Sequence, residues 1–411
     1  MKEADAVKSK KAVWTLKYAI LNAAYFSAFC TIHAYAAVYL LANGFTNTEA
    51  GILLAVANIV SAILQPAVAG LIDKPGFLTN KRCIVISVAI IFSGAFILLF
   101  SPGINAVIFV IYALIYMVQF VYQPVMTALC FEYRKKGCDI VYGLARGLGS
   151  AGFAVTSLFI GSAVEKDGVD ILLWVTMVMM VISLIVTLTF NASASESGDE
   201  TDVAGPDGVA HNNLSEFAKI YPAFMFFLIG TICFFFAHNM INDFMIVIIR
   251  ELGGNETELG YATFLQAILE LPVMACIGII LKKFSAHRLL IFSGVAFLVK
   301  TLLLLFADSM AQMYVSQAFQ MLSYAVFVPA GAYYVSTTME ELDQVKGQAF
   351  ITSAITIGGV FSNLISGVIL DNLGVTVMLT IGSIVTATGV VVTFIGLEKF
   401  PHHKEYAQDM S

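Results

Sequence analysis

Charge is what this sequence has least of. Only 12% of its 411 residues are Asp, Glu, Lys or Arg, about half the share of a soluble domain. A chain of this length with so little charge is not expected to be a soluble globular protein. Cysteine is also sparse: six residues, scattered and mostly within apolar stretches, which argues against a disulfide framework or a zinc site. No metal-ligand cluster, nucleophile–base spacing or cofactor motif is present. We therefore expect no metal, no cofactor and no enzymatic activity. A formal net charge of −6 gives no reason to expect nucleic-acid binding.

What the chain does have is apolar length. Hydrophobic residues make up 59% of it, and the mean hydropathy is +0.86. The apolar residues recur in continuous runs of about 18 or more, which is the signature of membrane-spanning helices rather than of alternating barrel strands. Twelve spans are predicted, near 16–41, 49–71, 82–100, 104–130, 142–163, 169–190, 221–246, 257–281, 287–307, 311–338, 348–370 and 375–397. The lysine-rich start resembles the front of a signal peptide, but the following segment is too long for one and lacks a cleavage pattern. It reads as a retained first helix.

The basic residues alternate with the spans. With the N-terminus in the cytoplasm, internal segments hold Lys74, Lys81, Arg82, Arg134, Lys135, Lys136, Lys282, Lys283 and Arg288 among others; external segments hold only Lys166 and Arg250. The positive-inside rule then puts both termini in the cytoplasm, and the location expected is the cell membrane. The only long polar interval is rich in Ser, Gly, Asp and Pro. It suggests an N-terminal six-helix bundle over 1–190, a cytoplasmic linker over 191–220, and a C-terminal six-helix bundle with a short tail over 221–411.

Internal repeats support this division. Thr48, Glu49 and Gly51 at the start of the second span match Thr257, Glu258 and Gly260 at the start of the eighth. Gly143, Ala145, Gly161 and Gly168 return as Gly347, Ala349, Gly367 and Gly374. The fold class expected is an all-α polytopic membrane protein, with twelve transmembrane helices in two pseudo-symmetric bundles. Such halves usually enclose a binding site.

One charge breaks the symmetry. Arg146 shares a helix face with Ser150, Phe153 and Ser157, while Gly143, Gly147, Ala151 and Ala154 offer a neighbouring face for close helix contact. Charges inside spans are costly and usually face a cavity or a partner; besides Arg146 they are Asp243, Glu270 and Lys300. Lys300 is expected to pair with Glu270 or Asp243. On the seventh span, His238 and Asn242 are four apart and share a face, available to hydrogen-bond a polyhydroxy solute. Tyr122, Tyr324 and Asn363 add further polar groups. His33 on the first span is as well suited to bonding a neighbouring helix as to a ligand. After the second span, Gly70, Asp73, Lys74 and Gly76 form G-x-x-D-K-x-G, where the glycines permit a tight turn and close contact.

This pattern resembles the major facilitator superfamily. The phrases QPAVAGLIDKPG, GLARGLG and GYATFLQAILELP are similar to its oligosaccharide:proton symporter, lactose permease-like branch. The resemblance implies movement of a sugar with a proton by alternating access. It implies a sugar-binding role for Arg146, with Phe153 at the place of a ring-stacking tryptophan. It sets Glu270 about a turn from the branch's eighth-helix glutamate, and Lys300 near its ninth-helix arginine. The branch's arginine-partnering carboxylate falls on Ala128, with Glu132 nearby. Its tenth-helix histidine and glutamate, ahead of Pro329, fall on Tyr324 and Phe327.

The function expected is secondary transport of a small polar solute, a sugar or oligosaccharide, with Glu270, Lys300 and Asp243 as coupling groups. The ligands and surroundings are that solute, a proton and the bilayer, with no nucleic acid and no obligatory protein partner. A nucleoside, metabolite or drug transporter of the same fold is the alternative, as is a non-transporting membrane receptor or scaffold.

Overall fold

Helix caps show where the spans start and why the repeats exist. Thr46 and Glu49 form a reciprocal capping box: the Thr46 amide donates to Glu49 Oε2 at 2.9 Å, and the Glu49 amide donates to Thr46 Oγ1 at 3.1 Å. In the second half the Asn255 amide donates to Glu258 Oε2 at 2.9 Å. The repeated Thr-Glu-Gly phrase is therefore one way of starting a helix, used twice in the chain. Thr79 caps the next helix through the Arg82 amide, and Ser285 does the same through Arg288. Gly168 stands between helices at φ 84°, and Gly374 opens the last helix at φ 82°, a region that L side chains seldom adopt.

In a computed structural model of the protein, the described residues are 2–191 and 214–399 apart from 73, 75, 77, 102 and 104, with backbone only for 2–10, 214, 215 and 399. Asp73, most of the predicted linker and the C-terminal tail lie outside them. The described chain is helical and contains no strand. In order, the helices are α1 (Lys2–Phe29), a π-helical turn (Cys30–Ala34), α2 (Ala36–Ala42), α3 (Asn47–Ile72), α4 (Asn80–Leu99), α5 (Asn105–Lys135), α6 (Tyr142–Asp167) and α7 (Asp170–Leu188). Then come α8 (Leu214–Ile220), α9 (Pro222–Asp243), α10 (Met245–Glu251), α11 (Glu256–Ile280) and α12 (Ala286–Leu305). The last are α13 (Met310–Ala318), a 3-10 turn (Phe319–Met321), α14 (Tyr324–Thr338), α15 (Glu341–Asn372) and α16 (Gly374–Lys399).

Among the described residues, ten helices are long and apolar enough to cross a membrane, or eleven if the pair bent by 49° at Tyr35 is one span. The difference from twelve has a local cause in the first and tenth predicted spans, which are interrupted; the seventh is interrupted too, but its longer part, α9, still qualifies. The first breaks at Tyr35 (φ −107°, ψ 16°) and the seventh at Phe244 (φ −113°, ψ 22°). The tenth, predicted over 311–338, is two short helices joined by the 3-10 turn. Interrupted spans are where transporter folds expose backbone and polar groups to a cavity.

The chain forms two compact units: Met1–Glu200 with Asn255–Ala267, and Thr201–Gly254 with Ile268–Ser411. In the first unit, α6 packs on α1 and on the start of α11. An added Cβ at Gly152 would meet Ala23 Cα at 3.0 Å, and one at Gly260 would meet Ser157 O at 2.5 Å. Gly161 faces the Glu256 carbonyl more closely still. Glu165 accepts from Asn255 Nδ2 at 2.9 Å and from Thr257 Oγ1 at 2.5 Å, which holds the start of α11 against α6. In the second unit, an added Cβ at Gly358 would lie 2.6 Å from Ile232 O. Gly152–Ala23 and Gly358–Ile232 are the same kind of helix crossing, repeated. Of the face expected to make close contact, Gly143 and Gly147 look onto open space while Ala154 is buried; Gly70 also looks onto open space. At Gly76 the nearest atom to an added Cβ is Lys74 O at 3.9 Å.

Some of the basic residues close helix ends. Lys81 Nζ donates to Phe190 O at 2.7 Å and to Asn191 Oδ1 at 2.6 Å, and Lys17 Nζ donates to Thr189 O at 3.0 Å. These ammonium groups satisfy carbonyls that the end of α7 leaves unpaired. Lys136, just past α5, pairs with Glu132 at 2.6 Å, a bond that raises the lysine pKa. In the second unit, burial raises the Tyr221 phenol to about 12. It stays protonated and donates to Asp343 Oδ2 at 3.1 Å, tying the chain before α9 to α15.

Candidate functional site

Helical spacing puts Arg146 above Ser150, and the structure makes them partners: Nη1 donates to Ser150 Oγ at 3.1 Å. The guanidinium lies over the Phe26 ring of α1, 4.0 Å from its centroid, a cation–π contact. Arg146 has no carboxylate ion-pair partner among the described residues. Glu132, the nearby acid, is engaged by Lys136 and by Asn80 at 3.0 Å. Arg146 is half-buried, and Ser150 takes one of the five N–H donors a guanidinium carries. Phe153, two turns on, is also half-buried. Tyr122 is fully buried and meets the Tyr25 ring edge-on at 4.9 Å, so it packs rather than presenting a free face. Phe26 escapes sequence reasoning, because nothing in an apolar helix singles out one phenylalanine from thirty-two.

His33, in the π-helical turn, stacks on Phe29 at 3.8 Å and lies 3.8 Å from the Tyr116 centroid and 4.6 Å from that of Phe120. It is a buried part of an aromatic cluster, which favours the packing alternative for this residue.

The second unit gathers more of the expected groups. On α9, the Asn242 amide nitrogen lies 2.9 Å from His238 Nε2 and 3.3 Å from Nδ1. Tyr324, at the start of α14 and just past the break, stacks on His238 with centroids 5.2 Å apart and planes 10° apart. Phe235 and Phe297 meet the same ring edge-on at 5.5 and 5.8 Å. A flat aromatic face beside an imidazole and an amide suits a small polar organic molecule. Asp243, the last residue of α9, makes no ion pair with Lys300 among the described residues. Asn363 is fully buried.

Lys300 and Glu270 do come together, though not as the direct ion pair expected. Lys300 Nζ donates to Gln320 Oε1 at 2.7 Å, and Gln320 Nε2 donates to Glu270 Oε1 at 2.9 Å. Lys300 is 1% exposed and Gln320 4%, while Glu270 is half-buried. A carboxamide suits this position because it is neutral, accepts on one side and donates on the other. Gln320 also escapes sequence reasoning, because the tenth span reads as one helix. The available signal is a second glutamine about one turn beyond Gln317 in an otherwise apolar stretch.

Helical spans, of which the first and seventh are interrupted at matching places, with a buried lysine in the ninth, define a secondary-transporter fold. The chain belongs to the MFS_1 like family, which matches residues 14–381. This is a family of transporters and not of enzymes, and the protein is a multi-pass membrane protein of that kind. A solved structure of the nucleoside transporter NupG, as a point mutant, superposes with a TM-score of 0.78 at 14% identity over 94% of this chain and 100% of that one. An auto-inhibited POT family peptide transporter reaches a TM-score of 0.70 at 10% identity, covering 93% and 96%. A bacterial homologue of the human lysosomal transporter Spinster reaches 0.70 at 10%, covering 95% and 98%. At such identities the likeness is one of fold. No curated protein matches the chain.

Proposed function

We propose that the protein moves a small polar organic solute, a sugar or oligosaccharide, together with a proton by alternating access across the cell membrane. In this reading, 1–190 and 221–411 are the matched halves, 191–220 is the cytoplasmic linker, and both termini are cytoplasmic. Gly70, near the end of α3, and Asp73, Lys74 and Gly76, which follow it in the sequence, serve the conformational change. The observation that carries the reading is the buried Lys300–Gln320–Glu270 chain beside the His238–Asn242–Tyr324 face. Ionisable groups at membrane depth are retained where they exchange partners with a proton or a solute. Arg146 supplies a planar set of donors for hydroxyls or a carboxylate. Nucleosides are the second reading; they share the demand for a flat face with neutral donors and acceptors, and a nucleoside transporter has this fold.

Counterflow into proteoliposomes with a panel of sugars, nucleosides and amphiphilic drugs distinguishes these substrates from one another and from a non-transporting receptor. With proton symport, uptake by the wild type rises as the outside is acidified. Glu270→Gln is expected to lose that rise while retaining exchange, since the amide cannot carry the proton. A rise that persists in the variant removes Glu270 as the coupling group. Arg146→Lys is expected to raise KM for uptake about tenfold, because an ammonium cannot reproduce the guanidinium fork. An unchanged KM places Arg146 outside the site.

A further inference from the structure

The chain from Lys300 to Glu270 runs through a residue that sits where a span is broken. Gln320 lies in the 3-10 turn Phe319–Met321, between α13 and α14. Serine hydroxyls on either side of the turn bond backbone carbonyls, one on α12 and one within the turn. Ser316 Oγ donates to Lys300 O at 2.8 Å, and Ser323 Oγ donates to Phe319 O at 2.9 Å. The carboxamide is therefore aimed by backbone-anchored neighbours. A continuous α-helix through 319–321 would present position 320 at a different angle and height. Break and relay are one device.

The physical consequence concerns how tightly two opposite charges hold each other. A direct ammonium–carboxylate contact in a low-dielectric interior is hard to separate. With one amide between them, each charge still has a hydrogen bond, and the two remain apart. Resting on the reading of Glu270 as the coupling carboxyl, we propose that Gln320 is a positioning residue that prevents Glu270 and Lys300 from closing into a direct ion pair, leaving each free to exchange its partner during transport. The other titratable groups around the relay are His238 on α9, within electrostatic range of Lys300, and Tyr324 on α14, which stacks on His238.

The test is a mutant cycle. Gln320→Leu is made in the wild type and in Glu270→Gln/Lys300→Met, and counterflow KM and Vmax are measured for a solute the wild type exchanges. The expected result is a fall in Vmax of about tenfold with KM within about twofold in the wild type, and a change below about twofold in the charge-free background. Equal losses in both backgrounds would mean that Gln320 is merely structural, and would overturn the proposal. The same cycle read as thermal unfolding in detergent separates this idea from the transport reading. If no solute is exchanged, the transport reading falls, and Gln320→Leu must still lower Tm by a few degrees only where both charges are present. A variant that folds only in the charge-free background gives the same support; one that folds in neither overturns it.

Discussion

Glu270→Leu is expected to destabilise the protein by about 3 kcal/mol, at the lower end for breaking a buried pair because Glu270 is only half-buried. Lys300 is 1% exposed and donates to a neutral oxygen, Gln320 Oε1. Without the carboxylate, its ammonium is left in the interior with no counter-charge within reach of the relay. Gln320 Nε2 loses its acceptor as well, an additional penalty for a buried donor. The double variant Glu270→Leu/Lys300→Met removes the charge along with its counter-charge and is expected to recover most of the loss. Thermal unfolding in detergent reads both. A double variant no more stable than Glu270→Leu alone would mean that the lysine does not depend on Glu270.

The second large effect is steric. Gly358→Val is expected to cost about 2–3 kcal/mol, and Gly152→Val somewhat less, while Gly143→Val stays within about 0.5 kcal/mol. At Gly358 the new Cβ would approach Ile232 O to 2.6 Å and Phe236 N to 3.0 Å; at Gly152 it would approach Ala23 Cα to 3.0 Å and Ala23 O to 3.1 Å. These neighbours are backbone atoms of an adjacent helix, so the whole helix must move away. In lipid, where helices associate by close packing rather than by exclusion of water, that movement removes the contact that holds the pair. Gly143 meets nothing. Folded yield and detergent melting of the three variants test the order; equal effects at Gly143 and Gly358 would contradict it.

Both predictions concern features that are only partly legible in one dimension. The glycine repeat points to close helix contact, but a helix has several faces. The choice between Gly143 and Gly152 depends on where α1 lies, not on spacing within α6. The same holds for charge. Lys300 and Glu270 stand out as costly groups in apolar spans, and their association is expected from that cost. That a glutamine stands between them follows from the 3-10 turn at Phe319–Met321, which periodicity does not reveal, because the flanking residues are as apolar as any helix. His238 and Asn242 are easier. A spacing of four on one helix fixes their proximity locally, and they are partners at 2.9 Å.

What the sequence by itself determined was the all-helical membrane class and the approximate place of most spans. In lipid each backbone segment must satisfy its own hydrogen bonds, so apolar length alone dictates helix; the capping phrases Thr46–Glu49 and Asn255–Glu258 act within three residues. Only the tertiary structure decided where spans one, seven and ten break, which glycines touch a neighbour, and what lies between the buried lysine and the half-buried glutamate. Those outcomes depend on atoms tens of residues apart, 20 from Lys300 to Gln320 and 50 from Gln320 to Glu270, and no local pattern encodes which of them meet.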